Sequence, residues 1–183
     1  MLNNNNITLR APEPADLENL YRWENNTDQW DAGNTRQPYS RFQLKEYLTQ
    51  IDKTIYENGS LRLIIELNST HQAVGTVDLY DFDLHNSRIA LGLFVDTAFR
   101  GNGIATQALE LTEAYVFDFL QLNQLYCQIS DNNMVSKQMF EHRNYETSAM
   151  LKKWIRTSNG FCDVLVFQQL KENYMRITKK IID

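Results

Sequence analysis

The chain has 183 residues, 43% of them hydrophobic and 22% charged, which fits one globular domain with a real core and excludes a collagen-like or low-complexity chain. Lys and Arg number 18 against 23 Asp and Glu, a formal charge of −5. Sequence-independent nucleic-acid binding draws on clustered Lys and Arg, so no nucleic-acid partner is expected.

Glycine is scarce, seven residues in all, yet Gly92, Gly101 and Gly103 fall within twelve positions. The two cysteines, Cys127 and Cys162, sit in apolar stretches without CxxC spacing, so free thiols are expected and no metal site. The opening MLNNNNITLR has neither a basic n-region nor an apolar h-region, and no window approaches ~18 uncharged apolar residues. A soluble, unexported, cytoplasmic protein without a membrane partner is expected.

In chain order, Ile7 to Pro12 reads as a strand. Pro14 then favours a helix carrying Leu17, Leu20, Tyr21 and Glu24 on one side. A loop from Asn25 to Tyr39 follows. Ser40 is placed to cap a second helix in which Leu44, Leu48, Ile51 and Ile55 recur at helical spacing up to Asn58-Gly59. From Ser60 the period changes to that of strands. LRLIIEL, AVGTVDLYDF and RIALGLFV are separated by short polar segments and predict an antiparallel meander. Ile104 to Leu120 has the strongest helical pattern. After it come a buried strand (Leu125 to Ser130), a short helix (Met134 to Arg143) and a hairpin turning at Asn159-Gly160, which would set Arg156 opposite Asp163. The order β-α-α-β-β-β-α-β-α-β-β describes a single α/β domain, residues 1–183, with a mixed sheet.

The chemistry concentrates where RIALGLFV passes through RGNGIA into the strongest helix. A helix start has N–H groups without intrahelical partners and a partial positive charge, which suits phosphate or pyrophosphate. Gly101 and Gly103 permit positive φ and close approach of backbone amides, and Arg100 adds a fixed charge. Two other readings of these residues stay open. One is a plain tight turn. The other is a dinucleotide fingerprint in GNGIAT with Asp131 after the next strand, although position 106 is Thr and the preceding region is antiparallel.

RGNGIA, Arg100 to Ala105, resembles the R/Q-x-x-G-x-G/A signature of the GNAT superfamily of acyl-CoA-dependent N-acetyltransferases, in the same strand-to-helix position. Asn133-Met134-Val135-Ser136, followed by Phe140 to Tyr145, is similar to that family's second segment. The order of elements matches over nearly the whole chain. ITLRAPEPADLENLYRWENN and GTVDLYDFDLHNSRIALGLFV look most like spermidine or diamine acetyltransferases and, next, the enzymes that acetylate ribosomal-protein N-termini.

The resemblance implies a mixed, mostly antiparallel sheet flanked by helices and splayed at the strand that holds acetyl-CoA. It implies that the backbone of Leu93, Phe94 and Val95 pairs with the pantetheine arm. Arg100, Gly101, Asn102, Gly103, Ile104, Ala105 and Thr106 would hold the pyrophosphate. Asn133 would bond the pantetheine, Ser136 and Phe140 would line the thiol end, and Gly92 would allow a bulge that splays the strand. The acceptor would be a small amine, polyamine or diamine, or a peptide N-terminus. Exposed strand edges and the late hairpin suit a homo-oligomer.

Two departures touch proton handling. The Tyr that commonly protonates the departing thiolate is Phe140 here, and the usual strand carboxylate aligns near Ala90, so no catalytic residue is assigned. A non-catalytic acyl-CoA-binding protein is the reading this leaves beside the enzyme. Asp78 and Tyr80 are taken for substrate contact, with Asp81, Asp83 and His85 nearby. Strand alternation puts Thr76, Asp78 and Tyr80 on one face, so Asp81 joins them only through a bulge. Where spermidine enzymes carry paired glutamates, this chain has Arg36-Gln37, with Glu24, Asp28 and Asp31 as neighbouring acids.

Overall fold

The computed structural model describes residues 2–27, 30, 37–49, 54–157 and 160–182, the last six of these as backbone. Its described strands are β1 (Leu2–Asn3), β2 (Ile7–Arg10), β3 (Leu61–Leu67), β4 (Ala73–Asp83), β5 (Arg88–Val95), β6 (Gln124–Ser130), β7 (Glu146–Thr157) and β8 (Gly160–Leu170). They form one sheet in the order β1-β2-β3-β4-β5-β6-β8-β7. Every described pairing is antiparallel except β5 with β6, which needs a crossover connection.

That crossover is α4 (Ile104–Ala114), prolonged by a wider π turn over Tyr115–Phe119. The other α-helices among the described residues include α1 (Leu17–Glu24), α2 (Arg41–Thr49), α3 (Ile55–Asn58), α5 (Met134–His142) and α6 (Lys171–Ile182). Alternation in the strands gives the sheet two apolar faces. Leu63, Ile65, Val77, Leu79, Ile89 and Leu125 pack with Ile104, Ala108, Leu109 and Phe117 of the α4 segment. On the opposite face, Ile64 and Ala73 pack with Leu20 and Trp23 of α1 and Leu44 and Leu48 of α2. Each fully buried aliphatic side chain contributes about 1.5–3 kcal/mol, and burial in the larger α4 layer and the smaller α1–α2 layer holds the sheet against chain entropy.

The meander and the crossover helix match the sequence reading. Ser40 caps α2 as expected, its Oγ accepting from Gln43 N at 3.1 Å. The second helix, however, is two helices. Thr54 and Glu57 form a capping box that starts α3 afresh, and Gly59 (φ +68°) ends it. Ile55 then packs on the α4 face while Leu44 and Leu48 pack on the other, which one straight helix cannot do. Residues 50–53, with Ile51, lie outside the described residues.

The late hairpin also differs. Thr157 pairs with Gly160 and Arg156 with Phe161, so Gly160 belongs to β8 rather than to the turn. A register shift between Leu151 and Ile155 then brings Lys152, not Arg156, to Asp163 at 2.8 Å. Ser158 and Asn159 lie outside the described residues. β1 and α6 have no counterpart in the sequence reading. Cys127 is buried and Cys162 half-buried, both as free thiols. Among the described residues no helix is long and apolar enough to cross a membrane.

Candidate active site

The parallel pairing of β5 and β6 is short. It runs through Arg88–Gln124, Ile89–Leu125 and Ala90–Tyr126, and then the strands diverge. The sheet is therefore splayed beside Leu91 to Val95, as the resemblance implies. The N–H of Asp96 donates to Val74 O at 2.9 Å, on the β4 side. Strand alternation then turns the backbone polar groups of Phe94 and Gly92 toward β4, and those of Leu91, Leu93 and Val95 toward the gap. Of the three residues expected to meet an extended ligand, Leu93 and Val95 face the gap through their backbones. Phe94 pairs with Thr76 and lays its ring 5.6 Å from that of Trp23.

Gly92 does not make the bulge expected of it. It pairs regularly with Asp78, and the register shift lies instead on β4 between Tyr80 and Asp83. There Asp81 takes φ +51°. A Cβ at Gly92 would stand in ordinary contact with Asp78 Cβ at 3.6 Å and Tyr80 Cε1 at 3.7 Å.

At the wide end of the gap, Asp96 anchors the loop. Its carboxylate accepts from Trp23 Nε1 at 2.9 Å and from Ala98 N at 3.3 Å, and meets Arg22 at 2.8 Å. Burial pushes its pKa up, but these bonds and the Arg22 charge outweigh burial and hold it below the ordinary value. Arg100 Nε donates to the gap-facing carbonyl of Val95 at 2.9 Å. Asn102 Nδ2 donates to the carbonyls of Phe99 and Arg100 at 3.1 and 3.3 Å, which draws the loop into a tight arch.

Gly101 and Gly103 stand at φ +79° and +72°, and Gly103 caps α4 without a side chain. The first intrahelical bond runs from Gln107 N to Gly103 O at 3.1 Å. The N–H groups of Ile104, Ala105 and Thr106 therefore have no acceptor within the helix. A Cβ built at Gly101 meets nothing within 4 Å. This is an open nest of amides at a helix start, the geometry that takes a phosphate.

The opposite wall is α5. Asn133 caps it, accepting from Ser136 N at 3.1 Å, so the cap uses the oxygen of that amide. Asn133 and Ser136 are half-buried. Phe140 is buried, with its ring 4.9 Å from Tyr145 and 6.3 Å from Phe167. It closes the core on this side and has no proton to give.

On the α1–α2 face of the sheet lie Thr76, Asp78 and Tyr80. Asp78 is not free: Arg62 Nε meets its Oδ1 at 2.5 Å, and Thr76 Oγ1 donates to its Oδ2 at 3.3 Å. Arg62 Nη1 meets Glu24 Oε1 at 2.6 Å. Arg62 was missing from the sequence reading because its role depends on the β3–β4 register, in which it pairs with Asp78. Glu24, expected among the acids near the loop, is in the same network. Asp28, Asp31 and Arg36 lie outside the described residues.

Tyr80 is 36% exposed, and burial of the rest together with the Asp81 charge pushes its hydroxyl up to about 12. The bulge brings Asp81 within reach of the Tyr126 hydroxyl, which it helps to raise. Among the described residues no three His, Cys, Asp or Glu side chains gather to hold a metal ion.

An amide nest at the mouth of a gap lined by strand backbone can bind an extended thioester and present its carbonyl to preorganised N–H donors. Comparison with known proteins bears on this arrangement. The acetyltransferase (GNAT) domain family matches residues 6–145. An uncharacterized N-acetyltransferase, p20, of Bacillus licheniformis is 22% identical over 168 residues, 92% of this chain and 94% of that protein. The spermidine N(1)-acetyltransferase of Vibrio cholerae is 22% identical over 172 residues, 94% of this chain and 97% of that one. A crystal structure of the Vibrio cholerae spermidine N-acetyltransferase in complex with CoA and spermine superposes with a TM-score of 0.84 at 21% identity, covering 94% of this chain and 99% of that one. The chain belongs to the GNAT acetyltransferase family.

Proposed function

We propose that this protein transfers the acetyl group of acetyl-CoA to a primary amine of a small cationic acceptor, a polyamine or diamine. The observation that carries the reading is the alignment of two features: the gap-facing backbone of Leu93 and Val95, and the amide nest from Gly101 to Thr106 at its open end. The pyrophosphate would sit on Gly101, Asn102, Gly103, Ile104, Ala105 and Thr106 beside Arg100. The pantetheine would run along Leu93 and Val95 opposite Asn133 and Ser136, with Phe140 behind.

In the reaction the neutral amine attacks the thioester carbon, the carbonyl oxygen takes negative charge against strand N–H groups, and the C–S bond breaks. The proton lost by nitrogen ends on sulfur. A free alkylamine has a pKa near ~10.4, so the site must favour the small neutral fraction at neutral pH. Holding both reactants supplies part of the lowered barrier, and preorganised donors are worth about 3–4 kcal/mol by analogy with oxyanion holes. Glu24, Asp78 and Asp81 on the acceptor face, and the formal charge of −5, support a cationic acceptor.

Exposed Met150, Trp154 and Phe161 on the β7–β8 hairpin support self-association. A second reading, acyl-CoA binding without transfer, draws on Phe140 alone. Calorimetry with acetyl-CoA, followed by a thiol-release assay across polyamines, diamines, amino acids and N-terminal peptides, tests both. Turnover on a polyamine supports the first reading. Turnover on peptides alone replaces the acceptor, and binding without turnover on any amine favours the second.

A further inference from the structure

We propose that the hydroxyl of Tyr80 donates the hydrogen bond that stabilises the departing thiolate, the task for which position 140 has no hydroxyl. The proposal rests on the acetyl-transfer reading and adds a catalytic residue to it.

Tyr80 pairs with Ala90, and Ala90 pairs with Tyr126. These three residues form one rung across β4, β5 and β6, the last rung before β5 and β6 separate. Paired residues on neighbouring strands project to the same face, so a small alanine sits between two tyrosines at the apex of the gap. Two positions further along β5 on that face is Gly92, and Tyr80 Cε1 lies 3.7 Å from where its Cβ would be. The Tyr80 ring therefore leans from the apex rung toward the open part of the gap, over a floor of Ala90 and Gly92.

The apex is where the reacting end of an extended ligand would lie. Val95 at the mouth is five residues from Ala90, about 17 Å of strand at ~3.3 Å per residue. An arm that starts at the Gly101–Thr106 nest and follows Val95 and Leu93 ends beside Ala90.

Asp81 acts on both tyrosine hydroxyls, and on Tyr126 through a hydrogen-bonding contribution as well as its charge. Among the described residues no side chain hydrogen-bonds Tyr80 Oη, whose charged and titratable neighbours are Asp81 and Asp78 on β4 and Tyr126 and Cys127 on β6. Those neighbours and burial keep Tyr80 protonated throughout the neutral range, so it acts as a donor and not as a base. The other hydroxyl near position 140, that of Tyr145, is buried in the core. In the step itself the C–S electron pair goes to sulfur while Tyr80 Oη–H points at it. The proton that finally neutralises sulfur is the one the amine nitrogen releases, and Tyr80 keeps its own.

The test uses the full chain and the variants Tyr80→Phe, Tyr126→Phe and Tyr80→Phe/Phe140→Tyr. Three quantities are measured: calorimetric affinity for CoA, kcat and KM on an accepted amine, and the pKa of the bound CoA thiol from thiolate ultraviolet absorbance. Tyr80→Phe is expected to lower kcat about tenfold or more, to leave KM for acetyl-CoA within about twofold, and to raise the bound thiol pKa by about half a unit or more. Tyr126→Phe should do none of these, and Phe140→Tyr in the double variant should recover part of the loss. A thiol pKa that does not move in Tyr80→Phe overturns the proposal even if no amine is turned over, as does a loss that follows Tyr126 instead. Failure of the unaltered chain to bind CoA defeats the acetyl-transfer reading, and this proposal with it.

Discussion

Arg62 and Asp78 face each other across β3 and β4, with Nε and Oδ1 2.5 Å apart, and the same guanidinium reaches Glu24 on α1 at 2.6 Å. One cation thus joins the sheet to the α1–α2 helix layer, and it leaves the two acids with one negative charge between them. An ammonium group arriving there meets a partly neutralised carboxylate.

Replacing the cation should expose both roles. Arg62→Gln leaves two half-buried carboxylates repelling each other, and thermal or urea unfolding should show a loss of about 2 kcal/mol. Asp78→Asn should cost less stability and raise KM for a dicationic acceptor several-fold, with KM for acetyl-CoA unchanged. Equal KM values in Asp78→Asn and the unaltered chain would remove Asp78 from the acceptor site.

Gly103 and Gly59 make a matched pair, since both stand at positive φ, +72° and +68°, at helix ends. A side chain at either position strains the backbone by about 1 kcal/mol. Gly103→Val also crowds the amide nest. Calorimetry should show acetyl-CoA affinity reduced about tenfold or more in Gly103→Val and unchanged in Gly59→Ala, while both lower the melting temperature.

Gly75 is fixed by a close approach. A Cβ at this position would lie 2.2 Å from the carbonyl oxygen of Phe94, on a neighbouring backbone that cannot swing aside. Gly75→Ala should therefore destabilise the fold by about 2 kcal/mol or more and, because Gly75 pairs with Val95, weaken acetyl-CoA binding as well. Chemical denaturation and calorimetry on the same preparation read the two effects separately.

Acid should act through Asp96. Its folded pKa is held below the unfolded value of about 3.8, so the stability it contributes is full above that value and is lost as the pH falls through the lower folded pKa. Asp96→Asn should lower stability by about 2 kcal/mol at neutral pH, through lost charge-assisted bonds to Trp23 and Arg22. It should also flatten the fall in melting temperature below about pH 4. An unchanged slope in that range would mean that other carboxylates govern the acid transition.

What could be read from the chain alone was local. The helix start at Ile104 and the glycines before it, the Ser40 cap, the antiparallel run of LRLIIEL, AVGTVDLYDF and RIALGLFV, and the crossover to a buried strand are each written within a few residues. They led to the amide nest and to the family. The break at Thr54 was equally local, a capping box with Glu57, but the recurrence of Leu44, Leu48, Ile51 and Ile55 hid it. Tertiary structure decided which residues meet. Register between strands far apart in sequence set Arg62 against Asp78, moved the bulge from Gly92 to Asp81, and gathered Tyr80, Ala90 and Tyr126 at the apex of the gap. A shift of one residue in any of those pairings would turn the side chains to the other face of the sheet, and no local propensity chooses among such registers. Burial of the two apolar faces chooses, and it does so only when the whole sheet is assembled.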